Sequence, residues 1–428
     1  MSVRGLGHDR PLEATARAQF LAMLLRRNLP SLVGILIVGL CTGPSRLVAQ
    51  NCPTPEFVVG ADLPFGPTGS SLGIWAADLN DDGRLDLVAV DDETVRVAMN
   101  LGHGHFSEAR SVAVGGSSTV LGDFNGDGYP DLVTTRDQMI RLLLGDGSGG
   151  FRDAGSFGFF GSFDTLVAGD FDGDGRLDVA WVWEVAPSGR LVVAFGDGHG
   201  GFPRIVTTDF KAGETARRLR AIDFNGDGRT DLVSTYSPAV LSSTTGLLLS
   251  NGDGTFAPGP IVAGHQFYAA SDAIPVDLNG DGIVDLLAMT SFKIFSWNVC
   301  GALLDGKGGI AWSPACQGIS NIDLSPFALA DFTGDGKADL AFADGVSILV
   351  AAGDGSGLFG PFMSFPAGTD GRTIFAADLD GDGRPDIVVG PSARAPARWL
   401  ANTCRIPGLH RPATPGPAIP VRPRGRVP

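Results

Sequence analysis

Seven copies of one acidic nonapeptide dominate the chain, and a sequence built this way folds as an array of like units. The copies read DLNDDGRLD (Asp78 to Asp86), DFNGDGYPD (Asp123 to Asp131), DFDGDGRLD (Asp170 to Asp178), DFNGDGRTD (Asp223 to Asp231), DLNGDGIVD (Asp277 to Asp285), DFTGDGKAD (Asp331 to Asp339) and DLDGDGRPD (Asp378 to Asp386). Their first aspartates lie 45, 47, 53, 54, 54 and 47 residues apart. Between them run Gly-rich turns that end in Phe106, Phe151, Phe202, Phe256, Ile310 and Phe359, six apolar anchors for seven loops. The seventh anchor is Phe57, which precedes the first loop.

Each acidic loop leads into a short apolar run such as DLVAV, DLVTT or DIVVG, and a further run such as TVRVAMN or RLVVAFG comes before the Phe-ending turn. Short runs bounded by glycine read as strands, about four per unit. The 62 glycines and 28 prolines among 428 residues disfavour long helices. Four strands per unit and seven units predict an all-β chain, a seven-bladed β-propeller with four-stranded antiparallel blades. The offset of Phe57 predicts that residues 56–60 supply the outer strand of the blade formed by residues 373–402. Such a shared blade closes the ring and removes an open sheet edge.

Together these loops, turns and spacings make residues 51–404 resemble the FG-GAP or VCBS-type repeats of bacterial secreted proteins, the calcium-bearing blades of integrin alpha chains and certain fungal seven-bladed lectins. The resemblance implies an extracellular, calcium-stabilised propeller used for recognition or adhesion. A fold shared by several functions does not by itself choose among them.

The loop chemistry points independently to a hard cation. Aspartates at positions one, five and nine, with an oxygen-bearing side chain at three and a backbone carbonyl at seven, form an all-oxygen shell suited to Ca²⁺. The expected ligands are Asp78, Asn80, Asp82 and Asp86; Asp123, Asn125, Asp127 and Asp131; Asp170, Asp172, Asp174 and Asp178; and Asp223, Asn225, Asp227 and Asp231. The remaining loops offer Asp277, Asn279, Asp281 and Asp285; Asp331, Thr333, Asp335 and Asp339; and Asp378, Asp380, Asp382 and Asp386. The position-seven carbonyls belong to Arg84, Tyr129, Arg176, Arg229, Ile283, Lys337 and Arg384. About seven Ca²⁺ sites are expected, loop six being the weakest because Thr333 replaces Asn or Asp. The competing reading is a set of Asp-Gly turns held by Asx hydrogen bonds with no metal. An EF-hand is excluded by position twelve, which is Ala89, Thr134, Trp181, Ser234, Ala288, Phe342 or Val389 where a bidentate acid is needed.

The two ends read differently from the repeats. Residues 1–50 hold an apolar run from Leu32 to Leu40 behind Arg26 and Arg27, the pattern of a secretory signal whose true start is expected at Met23. That run is too short for a permanent membrane anchor, and the expected location is secreted, periplasmic or at the cell surface. Residues 405–428 contain seven Pro and five Arg with no acid and read as a disordered tail. Residues 51–404 then carry a formal charge of −24, which argues against a nucleic-acid partner.

Four cysteines remain after the signal region, and the pairs Cys300–Cys316 and Cys52–Cys404 are preferred among the three possible pairings. Catalytic signals are thin. His103, His105 and His199 fall in turns, and no GxSxG or HExxH pattern is present. The expected function is a monomeric recognition or adhesion module for a glycan or an extracellular protein. The alternative is a polysaccharide-active lyase or hydrolase on the same scaffold. Its contacts are expected from blade-to-blade loops opposite the acidic face, around Trp183 to Arg190, Tyr236 to Thr245 and His265 to Tyr268, while Trp181, Trp183 and Trp297 on strands read more readily as core.

Overall fold

A computed structural model describes residues 54–66, 73–159, 166–185, 188–210, 216–239, 242–263, 269–293, 296–311, 315–320, 327–345, 347–369, 373–392 and 394–403. The expected signal region, the tail, Cys52, Cys404 and His265 to Tyr268 lie outside these residues. Among the described residues there is no helix long and apolar enough to cross a membrane.

The described strands form seven four-stranded antiparallel sheets, as the repeat count predicts, and one two-stranded sheet of Asn100–Gly102 with His105–Phe106. Blade one comprises Gly73–Ala77, Asp86–Val90, Thr94–Ala98 and Arg110–Val114. Blades two to six repeat the order, beginning at Thr119, Leu166, Ala216, Ala269 and Phe327. Blade seven takes Ile374–Ala377, Asp386–Val389 and Arg398–Asn402 from the end of the chain and its outer strand, Phe57–Asp62, from the beginning. Phe57 pairs with Asn402 and Asp62 with Arg398, so the ring is closed by the N-terminal strand.

Burial explains the sequence pattern of each blade. The second strand is packed on both faces by neighbouring blades, and Asp86–Val90 is buried at every position. The outer strand alternates, as in the half-exposed Arg204–Asp209. The core is divided into seven clusters, each shared by two adjacent blades, including one that joins blade seven to blade one. Every anchor residue packs into the cluster its blade shares with the preceding one: Phe106, Phe151, Phe202, Phe256, Ile310, Phe359 and, between blades six and seven, Phe57. Burying a side chain of this size contributes about 1.5–3 kcal/mol. In blade five, Cys300 and Cys316 face each other across neighbouring strands and form the expected disulfide.

Candidate metal centre

Each acidic loop joins the first strand of a blade to the second. Loop two illustrates the common build. Asp123 at position one is the hub: its Oδ1 accepts the N–H of Gly126 at 2.7 Å and of Asp127 at 3.2 Å, and its Oδ2 accepts that of Gly128 at 2.9 Å. Asn125 donates through Nδ2 to Asp127 Oδ2 at 2.8 Å, and Asp127 Oδ1 accepts the N–H of Tyr129 at 2.9 Å. Positions four and six need left-handed backbone, and Gly126 and Gly128 adopt φ of 76° and 91°. Loop one departs from this, with Asp81 at position four held at φ 57°.

Position nine has a second role that spacing alone did not reveal. Asp131 is fully buried; its Oδ2 accepts the N–H of Phe124 at 2.9 Å and its Oδ1 that of Gly145 at 2.8 Å. The same clamp recurs through Asp86, Asp178, Asp231, Asp285, Asp339 and Asp386, each taking an N–H from the end of its blade's third strand. Desolvation pushes Asp131, Asp231, Asp285 and Asp339 up to about 6, Asp386 to about 7 and Asp178 to about 8, in spite of the two N–H donors. Loop six differs: the N–H of Thr333, rather than that of Phe332, binds Asp339 Oδ2 at 2.9 Å.

The side chains at position seven also do more than offer a carbonyl. Arg84, Arg176, Arg229 and Arg384 reach back to the position-five carboxylates of Asp82, Asp174, Asp227 and Asp382 at 2.5, 3.1, 2.5 and 3.4 Å. Tyr129 instead covers the turn at Gly147, where a Cβ would lie 2.5 Å from its ring.

Two loops bring three carboxylates together. In Asp170, Asp172 and Asp174, and again in Asp378, Asp380 and Asp382, one oxygen from each residue lies within 4.8 Å of the others. Asp172 Oδ1 is buried and has no hydrogen-bond partner. Desolvation first, then the neighbouring Asp174 and Asp170, raise the Asp172 carboxyl above its ordinary range. Crowded, partly dry carboxylates of this kind match the donor set of a hard divalent cation. In loops one, two, four and five, Asn at position three reduces the crowding to two carboxylates and an amide.

The Gly-rich turns between third and fourth strands supply the contrast. Asp146 Oδ1 accepts from Ser148 Oγ at 2.8 Å and from the N–H of Gly150 at 2.9 Å, which holds its carboxyl below the usual range. Asp197 and Asp305 are lowered by the same turn N–H bonds. These acids are turn formers without a carboxylate cluster, and the metal-free Asx reading suits them.

His103 and His199 are exposed in turns, whereas His105, expected in a turn, is exposed on the two-residue strand His105–Phe106. Trp181 is buried at 2% exposure, whereas Trp183, also on a strand, is 36% exposed beneath the Arg190 guanidinium at 5.9 Å. The side chains of Tyr236 to Thr245 and of Trp297 fall outside the described residues.

Residues 54–122, 123–181, 170–234 and 326–389 match the model of the FG-GAP-like repeat, more than half of the chain. A search of curated proteins found no match. Among solved structures, the fold is similar to a lectin from Agrocybe aegerita described as specifically recognising non-reducing terminal N-acetylglucosamine, with 19% identity, a TM-score of 0.53, and coverage of 79% of this chain and 87% of that one. It is also similar to BBS1N, solved in complex with ARL6DN, with 9% identity, a TM-score of 0.51, and coverage of 80% of this chain and 96% of that one.

Proposed function

The chain belongs to the FG-GAP-like repeat family, and on that premise we propose that it is a secreted propeller whose acidic loops bind Ca²⁺ and whose ring serves as a recognition or adhesion module for a glycan or an extracellular protein. The observation that carries the calcium reading is the buried, unpartnered Asp172 Oδ1 within the triad Asp170, Asp172 and Asp174. A cation there would receive Asp170, Asp172 and Asp174 in loop three, and Asp378, Asp380 and Asp382 in loop seven. It would neutralise charge that otherwise repels within each hairpin. The clamp at position nine already ties every hairpin to its own blade, so the ion's contribution is to order the loop tip and not to create the fold.

Recognition is supported by likeness of fold to a lectin and to a propeller solved in a protein complex. Isothermal titration with CaCl₂ on metal-free protein, then a glycan array in the presence and absence of calcium, tests both halves. About seven sites and selective glycan capture are expected; no heat of calcium binding removes the metal reading, and an array without hits leaves protein recognition.

A further inference from the structure

In six blades a continuous stretch of chain turns from the third strand to the fourth, and in blade seven that turn is split between the two ends of the chain. Its closing bond is kept. In blade two the N–H of Asp146 binds Gly150 O at 3.0 Å, and the same bond closes the turns at Asp197, Asn251, Asp305 and Asp354. The N–H of Thr403 binds Glu56 O at 2.8 Å at this register, one residue beyond the pair Asn402 and Phe57. Elsewhere three residues bridge the turn, and the first is always glycine: Gly102, Gly147, Gly198, Gly252, Gly306 or Gly355. Counted from Asn402, the residue at that place in blade seven is Cys404.

The neighbouring amide points the same way. Asn100 Oδ1 accepts the N–H of Gly102 at 2.9 Å, and Ser250 Oγ accepts that of Gly252 at 3.1 Å. Asn402, at their register, is 2% exposed; its Nδ2 donates to Phe332 O at 3.0 Å, and its Oδ1 has no partner among the described residues. Buried polar atoms are seldom left unsatisfied. The N–H two residues on, which serves Asn100 and Ser250, belongs here to Cys404. The Cys300–Cys316 bond leaves Cys52 and Cys404 as the two remaining cysteines beyond the expected signal region. Cys52 lies four residues before Glu56, and four extended residues reach about 14 Å, more than the Cα separation of about 4.4–6.8 Å that a disulfide needs.

We propose that Cys404 completes the turn of blade seven by giving its N–H to Asn402 Oδ1, and that a Cys52–Cys404 disulfide stands where the other blades have a peptide link, as a covalent latch on the seam of the ring. Neither calcium nor a recognised partner is needed for it. The bond forms by exchange with a small disulfide such as oxidised glutathione. One cysteine thiolate attacks it and releases one glutathione thiol, and the other cysteine displaces the second. Two protein thiols are oxidised, one small disulfide is reduced, and the two protons end on the glutathione thiols. Strands Phe57–Asp62 and Arg398–Asn402 can otherwise part without the restraint of a turn, and the latch limits how far the opened ends drift.

The test uses the full chain oxidised with glutathione disulfide. Peptide mapping without reductant should find Cys52 joined to Cys404, and any other state of these two cysteines overturns the latch. Hydrogen exchange in residues 57–62 and 398–402 should quicken about tenfold in Cys52→Ser and in Cys404→Ser, with no further gain in the double variant, while blades three to five keep wild-type rates. Cys404→Gly separates the bond from the turn, because it installs the residue that the other six turns carry. It should open the seam as far as Cys404→Ser does. A seam as slow as wild type in Cys404→Gly, or in all of these variants, would show that backbone and packing hold it without the bond, and would overturn the latch even where the disulfide is mapped.

Discussion

Asn100 in blade one donates through Nδ2 to the carbonyl of Leu379 in blade seven at 2.9 Å, across 279 residues of sequence. Its own N–H binds Asp86 Oδ1 at 2.7 Å, so one residue joins the position-nine clamp to the preceding blade's acidic loop. Asn402 reaches Phe332 O at 3.0 Å and Ser250 reaches Phe171 O at 2.6 Å in the same manner. The acidic loops are therefore parts of the joints between blades as well as candidate cation sites.

Replacing Asn100 by Ala removes this bond, a second one to Leu85 O and the one its Oδ1 accepts from the N–H of Gly102. The expected loss is about 2–3 kcal/mol in urea unfolding, in line with the cost of an unmade buried hydrogen bond. A change below about 0.5 kcal/mol would show that the joint is held by apolar packing alone.

Phe57 is 7% exposed and meets Phe332 and Phe365 edge-on, with ring centres 5.5 and 5.2 Å apart. Phe57→Ala should cost about 3–5 kcal/mol, the range for a large core truncation. Hydrogen exchange should quicken first in residues 57–62 and 398–402, the two strands that it fastens. Uniform acceleration around the ring would contradict a seam that opens on its own.

Calcium removal should lower the melting temperature, because a ligand that binds only the folded state stabilises it by mass action. Asp174→Ala, in a three-carboxylate loop, should reduce calcium affinity and stability more than Thr333→Ala in loop six. Equal effects of the two would contradict the ranking. A melting curve indifferent to chelator would remove calcium as a stabilising ligand.

The metal-free protein should show an inverted response to pH. The position-nine carboxyls of Asp131, Asp231, Asp285, Asp339, Asp386 and Asp178, raised to between about 6 and about 8 by burial, hold protons that the unfolded chain releases near its ordinary carboxylate value. Their contribution is full below that ordinary value and is lost as pH rises through 6–8. The lowered turn acids Asp146, Asp197 and Asp305 act oppositely, and their contribution is lost as pH falls through their depressed values. Metal-free protein should thus melt highest near about pH 4 and lose stability towards pH 8. Calcium-loaded protein should gain over that interval, since protons compete with the cation for the loop carboxylates. Thermal scans on dialysed protein from pH 4 to 9 check this, and a metal-free curve that climbs steadily to pH 8 would refute it.

The sequence by itself determined the unit, the number of units and the closing strand. A nonapeptide with glycine at fixed positions dictates a local turn, and the apolar runs of strand length beside it dictate a hairpin, so both are readable from neighbouring residues. Phe57 announced the shared blade because it stands 21 residues before its acidic loop, the distance that Phe202, Phe256 and Ile310 keep from theirs. Only the tertiary structure decided what each loop aspartate does. Asp170, Asp172 and Asp174 converge on one another, while Asp178, four residues beyond Asp174, is drawn under the sheet to bind Phe171 and Gly196. The same holds for Trp399, which reads in sequence as one more strand aromatic. It becomes part of the core between blades seven and one because Gly104, which contacts it, belongs to the blade at the other end of the chain. Local spacing sets backbone conformation within a few residues. Which carboxylate loses its water and which aromatic side chain is buried depend on what the closed ring packs against them, and that is a property of residues hundreds of positions away.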